Sequence, residues 1–295
     1  MSDAHLNPAV KHDALFVFDA IDSNPNGDPD NAGKPRTDLD TGQGVVSDAS
    51  LKRKIRDTVQ FQVDQGMLAP ERYGIFIRRG VSLNEQLEEA YRQLRQPLAD
   101  AKNKNSAEQI ENAAGYMIDR YFDVRCFGAV MSTGQASAGK VTGPVTVGLG
   151  RSFDPVLPME MGITRTASTK EEAKDNASQM GSKSVVPYGL YAARVHYQPT
   201  RNNQVTAEDL QVLWRSLISL FEVTRSAARP DVNTRGVFVF SHDSALGSAP
   251  ARSLLDKVVI QRVDLADTKP PTRFEDYVIT EPTDLPPGVT YVRLA

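Results

Sequence analysis

The sequence predicts an α+β fold in which helices cover one face of a largely antiparallel sheet. Apolar, aromatic and β-branched residues are concentrated in two runs, ALFVFDA at residues 14–20 and YGLYAARVHY at residues 188–197, which is typical of buried strands. Amphipathic helices are predicted at residues 47–63 and 206–221, and two shorter strands at residues 236–240 and 258–263. This mixed order of strands and helices indicates a ferredoxin-like core that carries two large insertions.

Both predicted helices have clear starting signals. Ser47 is a suitable N-cap for the first helix, whose Leu51, Ile55 and Val59 share one stripe at the helical period. Thr206 and Asp209 form a capping-box pattern at the start of the second helix. The apolar stripe of the second helix consists of Leu210, Leu213, Trp214, Leu217 and Phe221. We therefore expect both helices to pack against the sheet through one face.

The predicted insertions lie in the middle of the chain. Residues 72–121 are strongly charged and have helical periodicity, whereas residues 124–131 and 141–152 are predicted to be strands around a glycine-rich turn. Residues 154–186 contain two possible strands on either side of a charged tip, TKEEAKDN, which is the pattern of a long hairpin projecting from the body. The proline-rich tail from Asp267 onward is predicted to be extended and to pack over the surface.

Composition limits the classes of function that the chain can have. It has 295 residues, 34 of them basic and 37 acidic, and a formal net charge of −3, which disfavours nucleic-acid binding unless the basic residues share one face. The single cysteine, Cys126, excludes an intrachain disulfide framework and a thiolate metal site. The chain has no apolar run long enough to span a bilayer and no secretory signal pattern, so we expect a cytoplasmic protein without membrane contact.

The strongest functional signal is a basic helix that follows a long polar loop. At the helical period, Lys52, Arg53 and Arg56 fall on an arc beside the apolar stripe, while Lys54 points away from Lys52. A basic arc near a helix N-terminus suits a phosphate chain, because the free N–H groups add to the attraction. The preceding loop adds amides, a glycine and two cations: Asn24, Asn26, Gly27, Lys34 and Arg36. A solvated charged face is the alternative interpretation of the helix.

Three further basic residues are candidates for phosphate contact. Arg225 and Arg229 would share one helix face if the helix at 206–221 continued that far, but compensation of the helix dipole after Glu222 is an equally good interpretation. Lys140 ends a G-x-x-x-x-G-K spacing. ATP binding is disfavoured there, because no hydroxyl residue follows the lysine and residues 141–144 suit a helix poorly. Contact between Lys140 and a nucleic-acid phosphate is still compatible with the sequence.

The first loop is also rich in aspartate. Its acidic residues are Asp22, Asp28, Asp30, Asp38 and Asp40. Paired carboxylates can hold Mg²⁺ for phosphodiester cleavage, so a metal-dependent ribonuclease is the alternative to a binding protein. Asx-turn and capping chemistry is the simpler explanation, because the spacing fits no EF-hand. The four histidines have no metal-ligand spacing. We therefore predict no metal, no cofactor and no catalytic residue.

Several long segments resemble one known family. The chain is similar to the backbone subunit of type I-C CRISPR surveillance complexes (Cascade) in FDAIDSNPNGDPDNAGKPRTDLDTGQGVVSDASLKRKIRD, and then in FGAVMSTGQASAGKVTGPVTVGLGRSFDPVLPMEMGITR. Two shorter segments, VVPYGLYAARVHY and FEVTRSAAR, follow in the same order as in that family. The resemblance spans nearly the whole chain and is weakest in the proline-rich tail.

The resemblance implies a fold with three parts. These are an RRM-like palm at residues 1–66, 121–153 and 187–295, a helical insertion at residues 67–120, and a thumb hairpin at residues 154–186. The thumb would include Met161, Arg165 and Met180.

The resemblance also implies a non-catalytic role. Copies would stack along the spacer of a CRISPR RNA, together with the other subunits of a type I-C complex, and would present the guide to target DNA. Lys52, Arg53 and Arg56 would hold the RNA backbone, and Asn24, Asn26 and Arg36 would line the same groove. Related backbone subunits of type III complexes cut RNA with a loop aspartate, which is why the ribonuclease alternative is retained.

Overall fold

The centre of the fold is strand β1 (His12–Ser23) in an antiparallel sheet. The computed structural model describes residues 3–99, 104–132, 134–165, 179–199, 204–264, 266 and 269–295. On its two sides β1 pairs with β8 (Gln179–Tyr197) and β9 (Asp231–His242). Alternate residues of β1 contribute to separate apolar clusters, with Phe16 and Phe18 in one and Leu15 and Val17 in the other. Both faces of this central strand are therefore covered, which explains its nearly continuous apolar sequence.

The remaining strands of the main sheet extend it in both directions. β12 (Val289–Arg293) pairs with β9, while β5 (Val145–Val147) and β6 (Gly150–Pro155) pair with β8, and β2 (Gln43–Val46) lies beyond β6. The strand order along the described sheet is β12-β9-β1-β8-β6-β2, and these pairings are antiparallel. The predicted mixture of helices with a largely antiparallel sheet is thus confirmed.

Two long helices pack on one face of this sheet. Helix α1 (Asp48–Asp64) is capped by Ser47, whose hydroxyl accepts a hydrogen bond from the Ser50 amide. Helix α5 (Ala207–Val223) begins with the predicted capping box of Thr206 and Asp209. The predicted stripes of both helices are buried in the same apolar cluster as Phe16 and Phe18, which confirms the helical periodicity.

A third apolar cluster is formed by the part of the chain that follows α1. It is formed by α2 (Leu83–Gln93), α3 (Ala107–Arg120), α4 (Phe122–Phe127) and a small ribbon of β3 (Gly128–Met131) and β4 (Gly139–Thr142). The predicted strand at residues 124–131 is wrong in its first half, because the chain stays helical through Phe127. Apolar runs this short have no decisive period. Cys126 is buried in α4, not in a strand.

The opposite face of the sheet is covered by the C-terminal part of the chain. Helix α6 (Ala251–Leu255) packs there with a ribbon of β10 (Val259–Arg262) and β11 (Tyr277–Thr280), against Phe238 and Phe240. The tail is extended in these two stretches, as predicted, but its strand pairings were not predicted: β11 completes the ribbon and β12 extends the main sheet.

A hairpin continues directly from the main sheet. β7 (Met159–Arg165) pairs antiparallel with the first part of β8, from Met159 opposite Val185 to Arg165 opposite Gln179. The second part of β8 pairs with β1, so one strand belongs to both the hairpin and the sheet. Within the described ranges, no helix is both long and apolar enough to cross a membrane.

Candidate nucleic-acid interface

The first loop is fastened to the N-terminus of α1 and to the turn after α5. The Asn26 side-chain oxygen accepts a hydrogen bond from the amide of Ser47 at 2.7 Å. The backbone amide of Asn24 donates to the Ala228 carbonyl at 2.8 Å, and its side-chain amide donates to Gly33 at 2.7 Å. Both asparagines therefore shape the loop. The fold also brings the loop, α1 and the turn containing Arg229 to one place, although they are far apart in sequence.

Lys52 and Lys140 line one surface groove of about 330 Å³. The groove is lined by Lys52 of α1 and by residues 127–130, 140–143, 145 and 146. The Lys52 ammonium lies 3.1 Å from Asp48 in an i,i+4 pair, while Lys140 is exposed on β4. Apolar residues such as Phe127 and Val130 also line the groove. Its two cations can contact a sugar-phosphate chain, whose binding needs charge and N–H donors without base recognition.

Two glycines determine the shape of this groove. Gly128 has a φ of 77°, a conformation that favours glycine. A Cβ atom on Gly143 would overlap the Cys126 carbonyl oxygen and the Gly128 amide nitrogen. The chain therefore crosses itself closely at this point, and the crossing fixes Lys140 opposite Lys52.

Arg53 and Arg56 differ from the prediction of one common basic arc. Arg53 is exposed and pairs with Asp57 at 3.3 Å. The Arg56 side chain is only 12% exposed, and its Nε donates to buried Asp123 at 2.8 Å. Its guanidinium also lies 5.4 Å from the centre of the Phe127 ring. Arg56 thus holds α4 against α1 and forms part of the floor beneath the groove.

Asp123 shows why Arg56 is needed in that position. Its carboxylate also accepts hydrogen bonds from the amides of Phe76 at 2.8 Å and Ile77 at 3.0 Å. A buried carboxylate with these partners organises three chain segments at once. Sequence reasoning missed Asp123, because its partners are brought together only by the tertiary fold.

Arg36 and Lys34 are held by acidic neighbours. Arg36 pairs with Asp28 at 3.2 Å, and Lys34 forms an ion pair with Glu160 of the hairpin. The first loop therefore contacts the hairpin as well as α1.

The two arginines after α5 do not share a helix face. The helix ends at Val223, and Arg225 pairs with Glu222 at 2.6 Å. Arg229 lies in a short turn in which Ser226 and Arg229 form an isolated bridge. Both arginines line a cavity of about 390 Å³ on the side of α1 that carries Asp57 and Phe61, separate from the groove of Lys52 and Lys140.

The hairpin presents an exposed apolar row. Met159, Met161 and Ile163 alternate along β7 and are 44%, 37% and 53% exposed. In the backbone register Met161 is opposite Lys183, and Met180 is opposite Thr164. The side chains of the other two predicted thumb residues, Arg165 and Met180, lie outside the described residues, as does the tip at residues 166–178.

The first-loop aspartates make turn and capping contacts. Asp28 caps a short 3-10 turn by accepting from the Asp30 amide, and Asp38 accepts from the amides of Asp40 and Thr41. A hydrogen bond from Arg151, followed by these amides, lowers the pKa of Asp38. Among the residues that the structure describes, no three His, Cys, Asp or Glu side chains are grouped as metal ligands.

A buried carboxylate, Asp13, is hydrogen-bonded to two histidines that are distant from it in sequence. Asp13 lies 2.6 Å from His196 Nδ1 and 2.9 Å from His242 Nε2, and Lys11 is 3.1 Å away. The Ser248 amide donates to His242 Nδ1, so the proton of that ring lies on Nε2 and is donated to Asp13. This cluster joins the ends of β1, β8 and β9 and is a structural element of the sheet.

Lys54 is a further residue that sequence reasoning set aside. The structure buries it in α1, between the buried residues Leu51 and Thr58. The helical period contained this signal, because Lys54 is three residues after Leu51 and four before Thr58.

The fold and the groove define a class of protein: an α+β protein with an antiparallel sheet, in which Lys52 and Lys140 line one surface groove. The family described as CRISPR-associated protein Cas7 matches residues 10–281, and the chain belongs to this family.

Individual relatives are similar over smaller parts or at lower identity. A CRISPR-associated protein Cas7 of Haloferax volcanii is 33% identical over 122 residues, which are 41% of this chain and 32% of the relative. The matched segment thus spans about a third of that relative's length. A solved chain described as "CRISPR RNA-guided surveillance complex, pre-nicking" is 16% identical, with a TM-score of 0.49 and coverage of 81% of this chain and 79% of that one. A second, "CRISPR RNA-guided surveillance complex", is 12% identical with a TM-score of 0.39, covering 80% and 71%.

Proposed function

We propose that the chain is a non-catalytic subunit that binds CRISPR RNA and lines up in several copies along the spacer of a type I-C surveillance complex. One observation supports this proposal most strongly. The family match over residues 10–281 includes the groove that Lys52 of α1 and Lys140 of β4 both line.

The chemistry of the groove supports binding without sequence recognition. Cations and backbone amides interact with phosphates, which are the same at every nucleotide. A guide-binding subunit must bind RNA independently of its sequence, because spacer sequences differ. The target sequence is recognised by base pairing with the guide. The net charge of −3 is compatible with this function, since Lys52 and Lys140 are concentrated in one groove.

We further propose that the core is an RRM-like palm. In chain order, β1, α1, β6, β8, α5 and β9 follow the βαββαβ succession of a ferredoxin-like fold, and β9-β1-β8-β6 is the matching strand order. The palm would comprise residues 1–66, 121–153 and 187–295, with residues 67–120 as the helical insertion.

The hairpin at residues 154–186 would be the thumb. It has an exposed apolar edge, and the ion pair between Lys34 and its Glu160 joins it to the first loop. Such an edge suits insertion between stacked nucleotides or contact with a neighbouring copy. Met161, Arg165 and Met180 are the proposed thumb residues.

The remaining partners follow from the same role. The guide held by this subunit would pair with target DNA, and other subunits of the complex would bind at the ends or sides of the row of copies, in the cytoplasm. The turn and capping contacts of Asp28 and Asp38 support a binding role over the ribonuclease alternative.

The first prediction concerns the groove. Replacing both Lys52 and Lys140 with Ala should weaken binding of unrelated spacer RNAs by similar factors, because only phosphate contacts are lost. The slope of log affinity against log salt should fall by about one per cation removed. Fluorescence anisotropy at several salt concentrations measures both quantities. Arg56 is left intact because its loss would disturb Asp123 and the fold.

A matched control removes two exposed cations elsewhere, Arg92 and Arg252, each paired with a nearby acid on its own helix or just beyond its end. This control should bind RNA like the unmodified protein. An equal loss in the control, or a loss in the test variant that varied with spacer sequence, would contradict the proposed backbone clamp.

A further inference from the structure

The hairpin leaves the main sheet through a short stretch between two strands. β6 ends at Pro155 and β7 begins at Met159, whereas β8 passes from its pairing with β7 to its pairing with β1 without a break. The last β8 residue opposite β7 is Val185, and the next residue is opposite β1. We call residues 153–158 the hairpin junction. Hinges usually lie in such short links at the ends of elements, so contacts of the junction with the body of the fold decide the direction of the hairpin.

The first loop holds the backbone of the junction. The Val156 amide donates a hydrogen bond to the Gly42 carbonyl at 2.9 Å. Just before the junction, the Gln43 side chain donates to the Ser152 carbonyl at 2.8 Å, and Gln43 is opposite Pro155 in the register of β2 and β6. These contacts fix one edge of the junction through backbone atoms. A second element can therefore bind its side chains.

The ribbon of β10 and β11 is this second element. The Tyr277 hydroxyl of β11 donates a hydrogen bond to the carboxylate of Asp154, and the guanidinium of Arg262 in β10 lies 3.7 Å from the other carboxylate oxygen. Tyr277 is 6% exposed, and its ring centre lies 6.3 Å from that of Phe153 and 6.5 Å from that of Tyr188 in β8. Burial, and after it the bond to Asp154, raises the pKa of Tyr277, so the hydroxyl keeps the proton that it donates. One tyrosine thus contacts both strands at the base of the hairpin.

The ribbon is anchored in turn to the centre of the sheet. Tyr277 belongs to the same buried apolar cluster as Val17 of β1 and Phe240 of β9. The guanidinium of Arg235 in β9 lies 4.7 Å from the ring centre of Phe274, just before β11. The ribbon is therefore a fixed part of the body, and its bond to the carboxylate connects the hairpin junction to β1 and β9.

We infer that the contact between Tyr277 and Asp154 is a latch by which the C-terminal ribbon sets the direction of the hairpin. The inference rests on the proposed function, because the direction matters only when the hairpin has to meet RNA or a neighbouring copy. Within that function Tyr277 and Asp154 are positioning residues that act through the hairpin. Breaking the latch should shift an opening equilibrium of the junction by about tenfold, which is typical of a lost hydrogen bond to a charged group.

Hydrogen exchange of the full-length protein, followed by mass spectrometry, tests the latch. Tyr277→Phe keeps the ring against Phe153 and Tyr188 and removes only the hydroxyl group. Peptides that cover residues 153–158 should exchange about tenfold faster than in the unmodified protein, because the junction opens more often. Peptides from β10 and β11 should exchange as before, since the ribbon keeps its backbone bonds and its apolar contacts. Faster exchange in the ribbon itself would show a structural role of Tyr277 and overturn the inference.

A second substitution tests whether the two residues act through one contact. Asp154→Ala removes the acceptor and should also accelerate exchange of the junction. Adding Tyr277→Phe to Asp154→Ala should then change nothing further, because the hydroxyl has no acceptor left to lose. A further acceleration in the double variant would mean that the hydroxyl acts elsewhere, and would contradict the latch. Tyr291→Phe is the matched control: it removes a hydroxyl of β12 that donates to Glu281 at 2.8 Å, and it should leave exchange of the junction unchanged.

The number of copies on a guide separates the latch from the proposed function. Tyr277→Phe should place fewer copies on a long guide, while its affinity for a short RNA, which needs only the groove of Lys52 and Lys140, stays that of the unmodified protein. If exchange of the junction is unchanged in this variant, or if it accelerates without any loss of copies, the inference is wrong while the proposed function stands. If the unmodified protein binds no RNA, the proposed function itself fails, whatever the exchange of the junction shows.

Discussion

Asp209 accepts hydrogen bonds from Thr206 in its own helix cap and from Arg72 and Arg125, which are far away in sequence. Arg125 contacts both of its oxygens, at 2.7 and 3.1 Å, Arg72 lies at 3.0 Å, and the Thr206 amide at 2.8 Å. Arg125 and Asp209 are both fully buried. One carboxylate therefore caps α5 and anchors α4, which carries the floor of the Lys52 and Lys140 groove.

Replacing Asp209 with Asn should lower the free energy of unfolding by about 3–5 kcal/mol, because Arg125 would be left buried without its counter-charge. Chemical denaturation measures the loss. Burial by itself would raise the pKa of Asp209, but hydrogen bonds and charge from Arg125 outweigh it and lower the pKa below 3.8. The stabilisation is thus complete above about pH 4 and is lost as the pH falls through the lowered pKa.

The difference between Asp209→Asn and the unmodified protein should therefore shrink as the pH falls below about 4, toward the lowered pKa of Asp209. Glu222→Gln, which removes an exposed partner of Arg225, is the control and should change stability by less than about 1 kcal/mol. A variant difference that stayed constant in acid would show that the charge of Asp209 is unimportant.

Residue-level roles were only partly predictable from the sequence. The helical period correctly placed Leu51, Ile55 and Val59 in the core and Lys52 beside them. It could not show that Arg56 pairs with Asp123, which is 67 residues away in sequence, because periodicity contains no information on tertiary partners.

At the level of elements, helices with strong caps were predictable and short ambiguous elements were not. α1 and α5 each combine an N-cap with several turns of amphipathic pattern. α4 is one and a half turns long, and its apolar residues fit a strand equally well, so its helical form depends on the tertiary bonds of Asp123 and Arg125. β12 was missed because a five-residue edge strand in a proline-rich tail has a weak pattern.

Gly143→Ala should disrupt the close contact between Gly143 and the α4–β3 connection, which shapes the groove. The added Cβ would overlap backbone atoms of Cys126 and Gly128, so the α4–β3 connection and the end of β4 must separate. We expect a loss of about 1–3 kcal/mol in unfolding free energy. RNA affinity should also fall, because Lys140 would move relative to Lys52. Denaturation and anisotropy measurements on the same preparation check both.

Gly115→Ala is the matched control for this glycine substitution. Gly115 lies within α3, and an added Cβ there would meet nothing within 4 Å. Alanine should therefore stabilise the helix by about 0.5–1 kcal/mol and leave RNA binding unchanged. If Gly143→Ala behaved like Gly115→Ala, the close crossing would not be what positions Lys140.

Over the whole molecule, β8 connects the groove, the sheet and the hairpin. It pairs with β7 at its start and with β1, β5 and β6 further along. The hairpin is therefore a continuation of the central sheet, fixed in direction near its base. The ion pair of Lys34 with Glu160 ties it to the first loop. A force on the hairpin from RNA or from another copy would act directly on the loop and on α1.

Replacing Met159, Met161 and Ile163 with Ser should impair assembly along the guide while leaving the monomer folded. These side chains are exposed, so their loss should change unfolding free energy by only about 0.5 kcal/mol. In a row of copies, however, the edge would contact a neighbouring copy or a nucleotide. The serine substitutions would then remove apolar surface that is buried in this contact. Mass photometry of the protein on guides of increasing length should show fewer copies per guide for the triple variant.

The control replaces three other exposed apolar residues with Ser: Met67, Leu246 and Val263. Equal copy numbers in test and control would mean that the hairpin edge plays no part in stacking, because the control residues are the more exposed set and only the test residues lie on the hairpin.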